Sequence, residues 1–279
     1  MSSSTHPADP TDSTDDMDSM DSMDSMDSMD SMDAEFDTVA AWTADVVAGL
    51  DPDERIPAAC RGSGSPGALH WLLDQVAPDL DETFLDCGAG IGGPAAFAAR
   101  ETGVRPVLTE PAPGACRAAR SLFGLPALQA GTQLPIATGA IGAGWSLGVL
   151  CTVDDQPAYL AELRRVLRPA SRFGLVVYCA ARPGALRLEQ PEGNDFPTVE
   201  ALEAMLDGAS LRVLTSGWTD HFAAFPADWE EVTGKVQAEL ERRHGDDPRW
   251  QVAEEQSSRM GSLLSAGEVR GRMLVVAAA

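Results

Sequence analysis

The sequence predicts an α/β fold built around a parallel sheet, and residues 83–99 carry this prediction. Thr83–Cys87 is a short, mostly apolar run that is typical of a strand buried on both faces. Glycines follow at positions 88, 90, 92 and 93. Pro94 and the run Ala95–Ala99 then begin a helix, where an early proline costs least. Strand, glycine turn and helix form the first half of a βαβ unit whose turn can accept a nucleotide.

A second predicted strand, Arg105–Thr109, ends at Glu110. An acid at this point can accept hydrogen bonds from both hydroxyls of a ribose. Glycines in the turn admit a ligand where a Cβ would obstruct it, and we expect a Cβ at Gly88 to enter the volume of the ligand. Asp86 precedes Gly88 by two residues, so its carboxylate can face a cationic group of the ligand.

Two classes of ligand fit this pattern. Gly88, Gly90 and Gly93 satisfy G-x-G-x-x-G, the pattern of a dinucleotide site, although about eighty residues precede the strand that commonly opens a dinucleotide domain. The stretches LDCGAGIGG (85–93) and LTEP (108–111) resemble motifs I and II of the class I S-adenosylmethionine-dependent methyltransferases. We therefore favour S-adenosylmethionine as the cofactor. A nicotinamide dinucleotide (NAD) and a turn that binds nothing are the alternatives.

The resemblance covers roughly residues 64–279 and is firmest over 83–180. It implies a Rossmann-like seven-stranded sheet of order 3-2-1-4-5-7-6 with the last strand antiparallel. Helices cover both faces, and N-terminal helices and a helical lid are added. It also implies a cofactor site made by the glycine turn, the acid after the second strand, the segment after the third and the end of the fourth. These residues are Asp86, Gly88, Ala89, Gly90, Glu110, Pro111, Gln133, Leu134 and Leu150.

Hydrophobic periodicity and turn residues predict the remaining elements in order. We expect helices at 35–50, 65–76, 112–122, 156–167, 199–206, 228–244 and 249–264, and strands at 126–130, 143–150, 173–179, 211–216 and 273–278.

Two positions depart from the pattern of the family. The family usually has an acid shortly before Leu134-Pro135, where this sequence has Gly131-Thr132-Gln133. Gln133 can serve the adenine amino group through its side-chain carbonyl. An apolar-Asp pair usually precedes the fourth strand, where this sequence has Ile141-Gly142. These departures leave open a second hypothesis, a regulatory protein of the same fold that binds S-adenosylmethionine but has lost or changed the reaction.

The formal charge of −23 is concentrated at the start of the chain. Residues 1–37 contain no Lys or Arg, and Asp-Ser-Met repeats five times from Asp18 to Met32. We expect residues 1–37 to be a disordered acidic tail. Residues 38–279 then form the methyltransferase domain, with leading helices over 38–80, the cofactor-binding core over 83–180 and a helical lid over 226–264.

Composition excludes several other classes of protein. The tail lacks the basic start and apolar stretch of a secretory signal, and the chain has no apolar run of membrane-spanning length. Five scattered cysteines without a C-x-x-C pair favour reduced thiols in a cytoplasm, and the four histidines show no metal-binding spacing. The net acidity opposes a nucleic-acid partner.

Methyl transfer from a sulfonium is an in-line displacement, so much of the rate can come from alignment of acceptor, methyl and sulfur. A base is needed only where the acceptor must lose a proton. The candidates are Asp154 and Asp155 after the fourth strand, Tyr178 near the end of the fifth and His221 after the sixth. We expect a small-molecule acceptor in an enclosed pocket lined by aromatic side chains. The sequence does not define the acceptor or the atom that is methylated.

Deleting residues 1–33 should leave the melting temperature and the cofactor affinity nearly unchanged, because the tail has too little apolar surface to bury. Thermal unfolding and calorimetry of the full and shortened chains measure both. A fall of several degrees would show that the repeat packs on the domain.

Overall fold

A computed structural model of the chain describes residues 36–60, 65–184, 190–222 and 224–279. The predicted tail therefore lies outside the described residues, except for residues 36 and 37. These two are helical.

The described residues form a seven-stranded sheet in the order β3-β2-β1-β4-β5-β7-β6, which confirms the predicted order. β7 runs antiparallel to both β5 and β6, as predicted, and the other neighbours are parallel. The strands are β1 Thr83–Cys87, β2 Arg105–Glu110, β3 Ala127–Gln129, β4 Ile141–Leu147, β5 Leu167–Ala180, β6 Leu211–Trp218 and β7 Val269–Ala278.

Nine helices occur within the described ranges. Several begin where the sequence offers a cap: Ser65 accepts the amide of Ala68 at 3.2 Å. The helices are α1 (36–48), α2 Pro52–Ala59, α3 Pro66–Val76, α4 Gly93–Thr102, α5 Pro113–Phe123, α6 Gln156–Val166, α7 Val199–Gly208, α8 Ala227–His244 and α9 Pro248–Ser265.

The sequence did not predict α2. Asp51 is its N-cap and Pro52 its first residue, four residues after α1 ends at residue 48. Asp53 and Glu54 in the first turn stabilise this helix through its dipole. Pro57 inside the helix makes it difficult to predict, because proline is normally unfavourable there.

The sheet separates two hydrophobic clusters. On one face Leu85 and Val177 pack with α6 and α7, and on the other Phe84 and Trp145 pack with α3 and α4. β1, in the middle of the sheet, is covered on both sides. The carboxyl ends of the parallel strands therefore offer the exposed edge where a ligand can bind.

The leading helices and the predicted lid helices pack together beside the glycine turn. Val47 of α1 and Val236 of α8 belong to one cluster with Ile91 of the turn. Trp42 of α1 stacks on His244 with ring centroids 4.0 Å apart, and the Arg249 guanidinium lies 5.1 Å from the Trp42 ring. The predicted helices are therefore present, and the role of α8 and α9 as a lid stays a prediction. No helix in the described ranges is long and apolar enough to cross a membrane.

The contact between α2 and α4 has no room for a side chain at Gly93. A Cβ on Gly93 would clash with the Ala59 backbone and lie 2.7 Å from the Cys60 nitrogen. Because both obstacles are backbone atoms, they cannot swing aside. Glycine at the start of α4 thus allows α2 to lie against the turn.

We expect Gly93→Ala to destabilise the protein by about 1–3 kcal/mol through overpacking. Gly234→Ala is the matched control, since Gly234 is also helical and no described atom lies within 4 Å of the position that a Cβ would take there. That control should be neutral or stabilising by up to about 1 kcal/mol, the helix propensity gain. Thermal or denaturant unfolding measures both, and shifts of equal size and sign would contradict the close packing.

Candidate functional site

The glycine turn after β1 adopts a backbone that favours glycine at three positions. The φ angles of Gly88, Gly90 and Gly92 are 70°, 52° and 90°. The amides of Gly88 and Ala89 both donate to the Thr109 carbonyl, at 2.8 and 3.2 Å. The turn is therefore fixed to the end of β2.

Glu110 fixes the turn a second time. Its Oε2 accepts the Gly90 amide at 2.9 Å, and its Oε1 accepts the Ala112 amide at 3.1 Å. A carboxylate oxygen can accept more than one hydrogen bond, so these two bonds are compatible with a further role in ligand binding. The predicted ribose acceptor thus also shapes the turn.

Gly88 and Gly90 have different surroundings. A Cβ on Gly88 would clash with the Val149 side chain, and the expected approach of the ligand to Gly88 stays a prediction. At Gly90 no described atom lies within 4 Å of the position that a Cβ would take. Within the described ranges, open space therefore lies beside Gly90 rather than beside Gly88.

Asp86 lies on β1 beside Trp145 of β4 and is 1% exposed. Its Oδ2 and the Trp145 Nε1 have no hydrogen-bond partner among the described residues. Burial raises the pKa of the Asp86 carboxyl to about 7. The indole N–H of Trp145 lies close enough to oppose this rise, although its geometry falls short of a hydrogen bond, and the negative charge of Glu110 adds to the rise. The end of β1 thus holds a buried acid without a full set of partners.

The segment predicted to pass the adenine follows β3. The Ala130 amide donates to the Glu110 carbonyl at 3.1 Å, which brings the segment next to the end of β2. Leu134 is buried in the core, whereas Gln133 and Pro111 are exposed. The exposed pair is accessible to a ligand, and Leu134 acts as an anchor.

Residues 85–175 match the methyltransferase domain family. They span β1 to β5 and contain the turn, Glu110 and the segment around Leu134. This part of the chain is therefore similar to a methyltransferase domain. This agrees with the sheet order and confirms the resemblance of motifs I and II.

Solved structures share the fold of this methyltransferase domain. The [4+2]-cyclase SpnF is 20% identical, with a TM-score of 0.60, over 75% of this chain and 78% of that one. A putative sarcosine dimethylglycine methyltransferase from Galdieria sulphuraria is 18% identical, with a TM-score of 0.60, over 76% and 85%. The cyclopropane synthase MmaA2 from Mycobacterium tuberculosis is 14% identical, with a TM-score of 0.60, over 75% and 82%. No curated protein matches the chain.

Leu150 of the methyltransferase domain lies in a single 3₁₀ turn after β4, Leu150–Thr152. It is 2% exposed and belongs to the core cluster of Tyr159 and Leu160. Its side chain therefore packs in the core, and a contact of Leu150 with the cofactor stays a prediction. The strand prediction extended β4 to residue 150, whereas the strand ends at Leu147.

Of the two aspartates after β4, Asp155 has a structural task. It is the N-cap of α6, and its Oδ1 accepts the Ala158 amide at 2.9 Å. Asp154 is exposed. Asp154 is therefore the freer of the two candidate bases, and a role for either in the methyltransferase reaction stays a prediction.

His221 lies in the 3₁₀ turn after β6, with 65% of its side chain exposed. Its Nε2 is 3.8 Å from Asp220 Oδ1, and Asp220 also pairs with Arg270. β6 is four strands from β1, and four strand spacings of about 4.8 Å amount to roughly 19 Å. The structure does not bring His221 together with the glycine turn, and its role as a base stays a prediction.

Sequence reasoning missed polar groups under the site. Ser146 of β4 and Tyr159 of α6 share a buried hydrogen bond of 2.8 Å. Glu162 and Arg165 of α6 both bind the backbone of Leu134. A Glu and an Arg three residues apart on a helix predict an ion pair. Their shared partner, about thirty residues earlier in the chain, could not be identified from that spacing.

We expect Asp86→Asn to raise the melting temperature of the unliganded protein. The difference in melting temperature between the variant and the parent should grow from pH 5 to pH 8. With a pKa of about 7 in the folded state and about 4 unfolded, Asp86 takes up a proton on folding in this range. The stability of the parent therefore falls as the pH rises through 7. The full effect is on the order of 4 kcal/mol, since a pKa difference of one corresponds to about 1.4 kcal/mol.

Asp154→Asn is the control for this experiment, because Asp154 is exposed at the same edge of the sheet. Thermal unfolding of the parent and both variants between pH 5 and pH 8 provides the comparison. A difference between parent and Asp86→Asn that does not change with pH would contradict the raised pKa.

Proposed function

We propose that this chain binds S-adenosylmethionine at the carboxyl ends of β1 and β2 and transfers its methyl group to a small molecule. One observation carries the proposal. The open space beside Gly90 adjoins a turn fixed by Glu110, at the end of the strand that holds Asp86. These residues offer an acid for a ribose and an acid for a cation on the two sides of one glycine turn.

The residues fit the charge and the shape of this cofactor. A cationic group at the end of β1 would favour the ionised form of Asp86, whose Oδ2 has no partner within the described part of the chain. Glu110 at the end of β2 is the acid proposed to accept hydrogen bonds from the ribose hydroxyls. NAD, the alternative ligand, has the ribose hydroxyls and a cationic ring, but it carries two phosphates and lacks an ammonium group, so an acid at the end of β1 favours S-adenosylmethionine over NAD.

When bound, S-adenosylmethionine supplies a methyl group on a positively charged sulfur. The residues of the chain bind the cofactor and orient it towards the acceptor. Glu110 and the glycine turn hold one end of the cofactor, and the acceptor must be aligned from the side of β4 and β5. On that side the Asp195 amide donates to the Cys151 carbonyl at 2.8 Å, and Gln156 Nε2 donates to the Asp195 carbonyl at 2.7 Å. The segment after β5 is therefore fixed to the end of β4, where it can form one wall of an acceptor site.

Two aromatic side chains, Tyr178 and the buried Phe196, lie in the same region. They pack with Cys151 and with Leu263 of α9 in one cluster. Burial raises the pKa of Tyr178 to about 12, so it suits packing or hydrogen bonding better than proton removal at neutral pH. We infer that the acceptor binds here, under α9.

The enclosed pocket that the sequence predicts stays a prediction. Two open cavities, of about 540 and 400 Å³, lie along α9 and near the amino end of β4 respectively. The first is lined by Glu255, Arg259 and Leu263, among others, and borders the proposed acceptor region. A small-molecule acceptor is supported by similar structures that are named as a sarcosine dimethylglycine methyltransferase and a geranyl diphosphate C-methyltransferase.

A second candidate function is cofactor binding without methyl transfer. Two observations favour keeping it. Of the residues predicted as bases, Asp155 caps α6 and His221 is mostly exposed to solvent. One structure that shares the fold is named a [4+2]-cyclase. Transfer of a labelled methyl group from S-adenosylmethionine to any member of a metabolite panel would favour the first function. Tight binding without transfer would favour the second.

Cofactor binding is tested by Gly90→Ala, with Gly124→Ala as the matched control. Both glycines have positive φ, 52° and 67°, and at neither does a described atom lie within 4 Å of an added Cβ. Backbone strain of about 1–2 kcal/mol is therefore common to both variants. Gly124 caps the far end of α5, so only the Cβ at position 90 should enter the ligand volume.

We expect calorimetry to show that Gly90→Ala binds S-adenosylmethionine and S-adenosylhomocysteine at least about tenfold more weakly, whereas Gly124→Ala binds as the parent does. NAD should not bind to any of the three proteins. Binding of NAD alone, or equal affinity in both variants, would refute the proposed site.

A further inference from the structure

The ion pair between Glu162 and Arg165 on α6 has two well-formed hydrogen bonds. Arg165 Nε lies 2.6 Å from Glu162 Oε2, and Arg165 Nη2 lies 2.7 Å from Glu162 Oε1. Hydrogen bonding from Arg165 lowers the pKa of the Glu162 carboxyl. Such two-point pairs fix both side chains in one plane.

Both members of this pair also bind the backbone of Leu134. Glu162 Oε1 accepts the Leu134 amide at 2.8 Å, and Arg165 Nη2 donates to the Leu134 carbonyl at 3.1 Å. The Leu134 side chain is buried in the cluster that contains Cys87 and Leu85. Leu134 is therefore fixed at its amide, its carbonyl and its side chain.

The rest of the segment is held less tightly. Residues 131–140 contain no helix or strand. Arg165 Nη1 donates to Thr138 Oγ1 at 3.2 Å, and the backbone carbonyl of Arg165 accepts the Gly139 amide at 2.9 Å. At the other end the Ala130 amide binds the carbonyl of Glu110. Between these anchors the direction of Gln133 depends on how Leu134 is held.

We propose that Glu162 and Arg165 are positioning residues that set the adenine specificity of the cofactor site through Leu134 and Gln133. The inference rests on the proposed function. The pair fixes Leu134, and the adjacent Gln133 then presents its side-chain carbonyl to the exocyclic amino group of the base. This arrangement compensates for the acid that is replaced by Gly131-Thr132-Gln133.

A pair of the same type on α8 supplies a control. Glu239 and Arg242 are also three residues apart, and Arg242 Nε and Nη2 lie 2.7 Å from the two carboxylate oxygens. The side-chain bonds of Glu239 in the described structure go to Arg242 and Arg243 of its own helix. Removing this carboxylate disturbs one helix surface and no loop.

The experiment measures dissociation constants for S-adenosylhomocysteine and for S-inosylhomocysteine, which has an oxo group in place of the 6-amino group. The parent, Glu162→Ala, Glu162→Gln, Gln133→Ala and Glu239→Ala are compared by calorimetry, and unfolding curves report their stability. The ratio of the two constants isolates recognition of the base from general loss of structure.

We expect the parent and Glu239→Ala to prefer the adenine ligand by the same ratio of dissociation constants. In Glu162→Ala and in Gln133→Ala this ratio should fall roughly tenfold. Glu162→Gln should retain part of the preference, because its carbonyl still accepts the Leu134 amide. Combining Glu162→Ala with Gln133→Ala should cause no further loss, since both act on one contact.

An unchanged ratio in folded Glu162→Ala would overturn the inference, and so would an equal loss of affinity for both ligands. If Glu162→Ala does not fold, Glu162→Gln and Arg165→Lys give the answer. Arg165→Lys keeps the charge but loses the second donor to the Leu134 carbonyl. If the parent binds neither ligand, the proposed function itself is refuted. If the parent binds normally and the ratio is unaltered in every variant, only the positioning role is refuted.

Discussion

The site depends on one carboxylate. Glu110 accepts the amide of Gly90 in the turn and the amide of Ala112 just before α5, so it joins the turn after β1, the end of β2 and the start of α5. Hydrogen bonds to a charged acceptor contribute roughly 1.5–3 kcal/mol each, enough to hold Gly90 at its positive φ. An acid at the end of β2 is therefore required for the shape of the empty site, before any ribose is bound. This double use explains why the glycine turn and the acid belong together, although twenty residues separate Gly90 and Glu110.

Much of the fold could be predicted because its signals are local. β1, the turn and Glu110 lie in one short stretch, and the family resemblance supplied the sheet order. Gly142 shows where local signals end. It lies near the amino end of β4, whereas the glycine turn lies at the carboxyl ends of the strands. A Cβ at position 142 would overlap the ion pair of Glu82 and Arg168. The departure at Gly142 thus makes room for an ion pair, and it does not alter the cofactor edge. Since Glu82 and Arg168 are 86 residues apart, the sequence alone could not reveal the pair.

Prediction of the site was less complete, for a related reason. Residue type indicates what a side chain can do, but its neighbours decide what it does. Asp155 can be a base, yet the start of α6 at Gln156 makes it a helix cap. Leu150 was expected to contact the cofactor, yet the early end of β4 turns it into the core. An error of three residues in the end of one strand changed the interpretation of Leu150, and such ends are poorly defined by hydrophobic pattern.

Asp86 connects stability with binding. A buried carboxylate oxygen and a buried indole N–H, neither with a hydrogen-bond partner in the described ranges, each cost about 1–3 kcal/mol. A core chosen for stability alone would place an apolar residue at this position of β1, as at Phe84 and Leu85. An acid in their place makes physical sense when a positive charge arrives at the same strand end, because the ionised carboxylate is then stabilised rather than penalised. The chain already carries a net charge of −23, so each further negative charge adds repulsion that a cationic ligand relieves. Under the proposed function, binding of the cationic cofactor therefore offsets the free energy that this buried carboxylate costs in the empty site.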